Sequence, residues 1–138
     1  MGSVAEAVLR TAAAGEMPLR GMRENTANYL RSGGRRAFAT FYNAVDDRAV
    51  LHPSLRRNIN FAQHNLVTDR SFNEFNVVFC RNVLIYFNRD LQDRVHRLFY
   101  QSLVRFGFLA LGAKETVQFS PHQAAYEDLG ERLYRKVA

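Results

Sequence analysis

A strand–helix–strand pattern over residues 76–111 determines the fold class of this 138-residue chain. The run from Asn76 to Cys80 (NVVFC) is almost wholly apolar, which predicts a strand buried on both faces, as in a parallel sheet. Apolar residues then recur along one helix face, at Leu91, Val95, Leu98, Phe99 and Leu103. After Gly107, residues 108–111 (FLAL) predict a second buried strand. Because such a unit is a βαβ crossover, we predict an α/β fold with a partly parallel sheet.

The elements predicted outside this pattern are two helices before the Gly33-Gly34 break and several short strands after it. The helices cover residues 4–14 and 20–30. The strands cover residues 37–42 (AFATFY), 48–52 (RAVLH), 59–62 (INFA), 118–119 and 132–137. The first two strands are predicted to form a hairpin around Asp46-Asp47. The last strand is predicted to lie at a sheet edge.

The composition restricts the class of protein. Hydrophobic residues make up 47% and charged residues 23%, which is ordinary globular usage and excludes a disordered or collagen-like chain. No apolar run reaches the roughly 18 residues of a membrane span, and residues 1–14 lack the pattern of a signal peptide, so a cytoplasmic protein is expected. The single cysteine, Cys80, excludes internal disulfides, and no metal-ligand spacing occurs.

The net charge of +6 comes almost entirely from arginine, since Lys114 and Lys136 are the only lysines. Arginine binds phosphate well, so a polyanion-binding surface is one interpretation. The arginines are scattered, however, without a basic run of five or more. A solvated surface therefore explains the charge better, and nucleic-acid binding is not expected.

Three polar residues, Cys80-Arg81-Asn82, come directly after the first predicted buried strand. Ligands bind at the carboxyl ends of strands in open α/β sheets, which favours a binding site. A structural role is equally compatible with the pattern, because Asn82 can cap the turn and Arg81 can pair with an acidic neighbour. Cys80 itself is expected to be a packed small residue, and His96 an ordinary surface or boundary histidine of the predicted helix.

Several motifs together resemble one family. They are AAAGEMPLR (residues 12–20), VLHPSLRRNINFAQHNL (residues 50–66), FCRNVLIYF (residues 79–87) and LG-x-x-E (residues 111–115). Over about residues 5–137 the chain resembles the chemotaxis receptor methyltransferases. These enzymes use S-adenosylmethionine (SAM) to methylate glutamate side chains of bacterial chemoreceptors, leaving S-adenosylhomocysteine.

The resemblance implies roles for individual residues. Asn65 and Leu66 would lie beside the adenine of the cofactor, whereas Arg81 and Asn82 would border the cofactor and the site of transfer. Tyr86 would face the reacting end, so Arg81 and Tyr86 are the implied catalytic residues and no histidine base is required. The implied partner is the cytoplasmic region of a methyl-accepting chemoreceptor, without nucleic acid or membrane insertion.

The resemblance also implies three domains: a helical lead-in at residues 1–34, a small antiparallel β subdomain at 35–62, and the C-terminal half of a Rossmann-like methyltransferase domain at 63–138. The small subdomain is the part that some family members use to hold the receptor tail.

The sequence departs from the family at several points. It has no glycine-rich cofactor loop, and no acidic residue after a second strand to bind the ribose. Asn76 stands where the family has Asp, and Ala113-Lys114 stands where it has His-Ser. We therefore expect a truncated, C-terminal part of the enzyme with impaired or no activity.

The truncation is expected to have a structural consequence. Without the strands that precede it in the family, the strand at residues 76–80 would present an unpaired apolar edge, through which a homodimer can form. The alternative to a methyltransferase module is a non-catalytic module that binds a receptor tail or another protein by strand addition.

Overall fold

The computed structural model describes residues 4–71 and 74–138. The chain divides into two compact units, residues 1–63 and residues 64–138. Each unit has its own sheet, and the two sheets together give a mixed α/β fold. No helix in the described part of the chain is long and apolar enough to cross a membrane.

The first unit contains a three-stranded antiparallel sheet with the order β1-β3-β2. Its elements are α1 (Val4–Ala13), β1 (Glu16–Pro18), α2 (Met22–Arg31), β2 (Tyr42–Val45), β3 (Arg48–Leu51) and α3 (Pro53–Arg56). The predicted hairpin around Asp46-Asp47 is present as β2 and β3, and both predicted helices form. The sheet also includes β1, which lies outside the predicted subdomain of residues 35–62.

Two strand predictions in this unit are wrong. Residues 37–42 are not a strand, because Phe38–Phe41 form a 3₁₀ turn in which the Thr40 N–H donates to the Ala37 carbonyl at 3.0 Å. The rings of Phe38 and Phe41 pack against Tyr29 of α2, at centroid distances of 5.2 and 5.7 Å. These aromatic contacts outweigh the strand propensity of the sequence. Residues 59–62 form neither strand nor helix.

The second unit contains the predicted βαβ crossover. Its elements are β4 (Phe75–Cys80), α4 (Arg89–Ser102), β5 (Leu103–Leu111), β6 (Tyr126–Asp128) and β7 (Leu133–Lys136). The strand order is β4-β5-β7-β6, with β4 and β5 parallel and the other pairs antiparallel. Helix α4 starts at Asn88, whose side-chain oxygen accepts the Leu91 N–H at 3.0 Å and caps the helix.

The core of the second unit lies on one face of this sheet. Its buried residues come from both parallel strands, from α4 and from the segments that follow β5: Cys80, Leu84, Val95, Phe99, Leu103, Leu109, Leu111, Val117, Tyr126 and Tyr134. The predicted packing of Cys80 and of the apolar face of α4 is confirmed. His96 is only 3% exposed, so its prediction as a surface or boundary residue is wrong.

Strand β4 lies at the edge of the sheet, which confirms the predicted unpaired edge. The prediction that this strand is buried on both faces is wrong, since Phe75, Val77 and Phe79 are 42%, 45% and 76% exposed. The apolar sequence of β4 is that of an interior strand, but β5 is its only neighbour in the described chain.

The closing strands also differ from the prediction. The last strand forms over Leu133–Lys136, but it lies inside the sheet between β5 and β6 rather than at an edge. Residues 118–119 belong to a turn, and Phe119 has a left-handed φ of 63° that no strand tolerates.

Candidate functional site

The candidate site lies where the parallel strands β4 and β5 end. Cys80 and Leu111 are register partners, so the two chains leave the sheet side by side. After Cys80 the backbone turns sharply, because Asn82 adopts a left-handed φ of 63°, a conformation that asparagine tolerates. A short 3₁₀ helix, Leu84–Tyr86, follows. This edge is the place where open α/β sheets bind their ligands.

One buried carboxylate holds the two strand ends together. Glu115 Oε1 accepts the backbone N–H groups of Asn82 at 2.8 Å and Gly112 at 2.7 Å. Its Oε2 accepts the N–H groups of Val83 at 3.0 Å and Leu84 at 2.6 Å. Glu115 is only 4% exposed, so these four donors replace the water that the charge has lost. The turn after β4 is thereby fixed to the segment after β5.

The electrostatics of Glu115 follow from these contacts. Burial raises the pKa of the Glu115 carboxyl group. The hydrogen bonds from the N–H groups of Asn82, Gly112, Leu84 and Val83 lower the pKa, and together they outweigh burial, so the pKa is below the ordinary value. Glu115 is therefore ionised at neutral pH and acts as a fixed internal anion.

Gly112 makes the close approach of Glu115 possible. A Cβ atom at this position would lie 2.7 Å from Glu115 Oε1 and 2.8 Å from the Asn82 nitrogen, and it would also overlap Asn82 Oδ1. Every other amino acid would push the two strand ends apart. The LG-x-x-E motif thus has a structural explanation. Gly112 has no side chain, and the Glu115 carboxylate occupies the space that a side chain would take.

The structure places the predicted catalytic residues on the solvent side of this edge. Tyr86 is 79% exposed at the end of the 3₁₀ helix. Arg81 is exposed, and among the described residues it forms no ion pair. The pairing of Arg81 with an acidic neighbour, one of the structural roles considered above, is therefore absent. Asn82 does hold the turn, although it does so through its backbone N–H.

The predicted adenine-contacting pair lies in a separate turn before β4. Asn65 Oδ1 accepts the Val67 N–H at 3.0 Å, so this acceptor is used within the turn. Asp69 Oδ2 accepts the Asn65 N–H at 2.9 Å and lies 3.2 Å from His64 Nδ1. Leu66 packs against the core cluster that contains Cys80 and Leu84. Leu66 is thus a partly buried residue at the border of this core.

The buried thiol of Cys80 and the buried imidazole of His96 are both uncharged at neutral pH. Burial, together with the charge of Glu115, raises the pKa of Cys80 to about 11, so the thiol stays protonated. Burial lowers the pKa of His96, an effect that outweighs the opposing charge of Asp93, so the imidazole stays neutral. In the described part of the chain, no three His, Cys, Asp or Glu side chains lie close enough together to hold a metal ion.

Two residues of this edge were not singled out from the sequence. Glu115 was noticed only as the last letter of LG-x-x-E, and that spacing was the available signal. Arg132 lines a cleft of about 400 Å³ together with Arg81, Leu111 and Ala113, and nothing in the sequence connects it to the strand ends.

A SAM molecule would find only part of its binding site in these residues. Leu66 offers an apolar wall, Tyr86 an exposed hydroxyl and Arg81 an unpaired guanidinium. Among the described residues, β5 is the only strand beside β4, and the sequence has no glycine-rich loop to hold the methionine end.

A fold with a partly parallel sheet and polar groups at its strand ends belongs to the class of nucleotide- and cofactor-binding α/β domains. Residues 6–132 match the family described as CheR methyltransferase, SAM binding domain. The chain belongs to this family, as its motifs led us to expect.

Several known proteins are similar to the chain. A Pseudomonas putida protein named "Putative methyltransferase Cher3" is 50% identical over 120 residues, which is 86% of this chain and 44% of that protein. A chemotaxis protein methyltransferase of Listeria innocua is 34% identical over 80% of this chain and 39% of its own length. Chemotaxis protein methyltransferase 1 of Vibrio cholerae is 39% identical over 60% of this chain and 30% of its own length. The chain thus spans less than half the length of these relatives.

Proposed function

We propose that this chain is the C-terminal part of a cytoplasmic enzyme that transfers the methyl group of SAM to glutamate carboxylates of bacterial chemoreceptors. The observation that supports this most directly is the strand-end edge of β4 and β5. There the family's CRN and LG-x-x-E motifs meet through the four hydrogen bonds of Glu115. The family match over residues 6–132 supports SAM as the methyl donor.

The proposed reaction suits a site without a strong base. A glutamate carboxylate, with a solution pKa of about 4.3, is already ionised at neutral pH. Its oxygen forms a bond to the methyl carbon while the bond from that carbon to the sulfonium sulfur breaks, giving a methyl ester and S-adenosylhomocysteine. The two opposite charges cancel and no proton is transferred. The enzyme then has to align three atoms and exclude water.

Each predicted residue has a role in this proposal. Arg81 and Tyr86 would orient the reactants at the point of transfer, because their polar ends face solvent at the strand-end edge. Asn82 would border the cofactor, in a turn that Glu115 keeps rigid. Asn65 and Leu66 would contact the adenine, with Leu66 as the apolar surface. Residues 35–62 would contact the tail of the receptor.

We also propose that the 138-residue chain is impaired when it acts alone. It supplies one side of the cofactor site, whereas the glycine-rich loop and the ribose-binding acid are missing from its sequence. The alternative, a non-catalytic interaction module, gains no support from the comparisons, since the matched family is defined by a methyltransferase cofactor domain.

The test is calorimetric titration of the chain with S-adenosylhomocysteine. We expect weak binding with one site per chain, lost in Arg81→Ala and retained in Tyr86→Phe, with Arg94→Ala on α4 as the control for lost charge. No heat at millimolar ligand contradicts cofactor binding by this chain.

A second experiment restores the missing part of the enzyme. A chimera would join the chain to the part of the Pseudomonas putida relative that it does not match. We expect the chimera to methylate receptor glutamates, and Tyr86→Phe to lower the turnover of the chimera while sparing its affinity for S-adenosylhomocysteine. An unchanged turnover would remove Tyr86 from the site.

A further inference from the structure

A second feature of the strand-end edge is the cleft that Arg81 shares with the β6–β7 hairpin. The cleft has a volume of about 400 Å³ and combines the ends of β4 and β5 with hairpin residues Asp128, Gly130, Glu131 and Arg132. The Leu111 N–H donates to the Arg132 carbonyl at 3.0 Å, which fixes the hairpin to the end of β5. Two arginines from distant parts of the sequence, Arg81 and Arg132, therefore line one cleft at the strand-end edge.

The backbone of this hairpin is strained. Gly130, Glu131 and Arg132 follow one another with φ values of 86°, 54° and 61°. Only the first is a glycine, so two ordinary residues are held in the left-handed region at some cost in free energy. Strain of this kind clusters at functional sites, and here it lies in the hairpin that lines the cleft.

The cleft is lined by two arginines and two carboxylates, Arg81 and Arg132 with Asp128 and Glu131, and no direct ion pair joins them in the described part of the chain. Asp128 uses Oδ1 to accept the Gly130 N–H at 2.8 Å. The Nε of Arg132 donates to the Ala113 carbonyl at 3.2 Å, and its two terminal nitrogens have no partner in the described chain. The unused guanidinium donors of Arg81 and Arg132 are therefore available to an external anion.

We propose that Arg81 and Arg132 form a carboxylate-binding subsite that holds a glutamate side chain of the acidic substrate. The proposal rests on the proposed function for the identity of the substrate, and it adds Arg132 as a residue that determines specificity. A guanidinium binds a carboxylate through two parallel hydrogen bonds, so the subsite selects glutamate over glutamine.

The experiment follows the arginine side-chain Nε–H signals of the 138-residue chain by NMR. The probe is N-acetyl-glutamate amide, which carries one side-chain carboxylate, and the uncharged control is N-acetyl-glutamine amide. We expect saturable shifts of the Arg81 and Arg132 signals with the first compound only. The signal of Arg94, an exposed arginine of α4, should shift no more than it does when the same concentration of sodium chloride is added.

The decisive variant is Arg132→Asn, because asparagine accepts the left-handed φ and the hairpin keeps its fold. We expect it to weaken binding of the glutamate probe about tenfold, the amount typical of a lost charged hydrogen bond. Arg132→Lys should retain part of the affinity, and Arg94→Asn should retain all of it. Equal affinity in Arg132→Asn and the parent chain overturns the proposal, as does an equal shift of all three arginine signals.

A carboxylate can also come from the amino-acid end of the cofactor. S-adenosylhomocysteine contains this group and 5′-methylthioadenosine lacks it. If Arg132→Asn weakens the first of these and leaves the glutamate probe unaffected, the subsite belongs to the cofactor and the substrate assignment is overturned. Calorimetry with S-adenosylhomocysteine tests the proposed function separately. A chain that binds the glutamate probe but not the cofactor would support the carboxylate subsite and contradict the proposed methyltransferase function.

Discussion

At the scale of single residues, the buried carboxylate of Glu115 stabilises the strand-end edge through four backbone hydrogen bonds. We predict that Glu115→Gln lowers the free energy of unfolding by about 2–4 kcal/mol, since the amide NH₂ faces backbone donors where an oxygen accepted them. Urea unfolding at pH 7 measures the loss. Lys114→Gln, at the exposed position next to it, is the control and should change stability little. A loss below about 0.5 kcal/mol in Glu115→Gln would contradict the assigned role.

His96 gives the chain a predictable response to acid. Burial keeps the pKa of His96 below its usual value, and the pKa of His122 is lowered by burial and by the charges of Arg97 and Lys136. Below about pH 6.5 these two histidines are therefore protonated more readily in the unfolded chain than in the folded chain. We predict that the free energy of unfolding falls as the pH decreases from 7.5 to 5.5.

The control for this response is the variant His96→Gln. Its unfolding free energy should fall less steeply over the same pH range, because the proton that His96 takes up on unfolding is no longer part of the response. Equal slopes in the two proteins would show that His96 titrates alike in the folded and unfolded states.

Single residues of the site were only partly predictable. Cys80-Arg81-Asn82 could be located because a polar triplet follows an apolar strand, which is a local pattern. The clamp by Glu115 joins residues 31–33 positions apart, and the hairpin places Arg132 in one cleft with Arg81, from which about two thirds of the length of the second unit separates it in sequence. Such contacts between residues far apart in sequence depend on the sheet topology, and no periodic pattern in the sequence predicts them.

At the scale of elements, β4 is an edge strand with the side chains of an interior strand. Phe75–Cys80 contains neither a charged residue nor a proline, although charged side chains and prolines usually protect an edge strand from pairing. We predict that the chain associates through this edge and that Phe79→Lys weakens the association tenfold or more, since each partner loses one buried phenyl ring. Sedimentation velocity over a range of concentrations measures it.

The matched control for the edge is Phe119→Lys. Phe119 is 73% exposed, almost as much as Phe79, but it belongs to a turn and presents no strand edge. If both lysine variants reduce association equally, general hydrophobicity rather than strand pairing is the cause.

The elements also differ in how well local pattern predicts them. Helix α4 was predictable because its apolar residues recur at regular spacing, and the apolar run at residues 108–111 predicted the second half of β5. The strand begins earlier, at Leu103, which the sequence places on the helix face. Strand β1 was not predictable: it has three residues, one of them Pro18, and it exists only because β3 pairs with it about thirty residues later. The segment at Phe38–Phe41 has the composition of a strand, yet its rings are drawn onto Tyr29.

At the scale of the whole molecule, residues 57–71 contain neither helix nor strand, and the division between the two units falls within them, after Gln63. We predict that the first tryptic cuts follow Arg57 and Arg70, because a protease needs an extended segment. Intact mass spectrometry of short digests identifies the products. First cuts after Arg94 or Arg97, which lie in α4, would contradict this division of the chain.

The internal anion at the strand ends has a practical consequence for work in phosphate or sulfate buffers. The N–H groups of Asn82, Val83, Leu84 and Gly112 are the kind of donors that capture free oxyanions, but Glu115 already occupies them and cannot diffuse away. Added oxyanions therefore gain nothing at this turn. Competitive inhibition by such salts, where it is seen, will report on the cleft between Arg81 and Arg132.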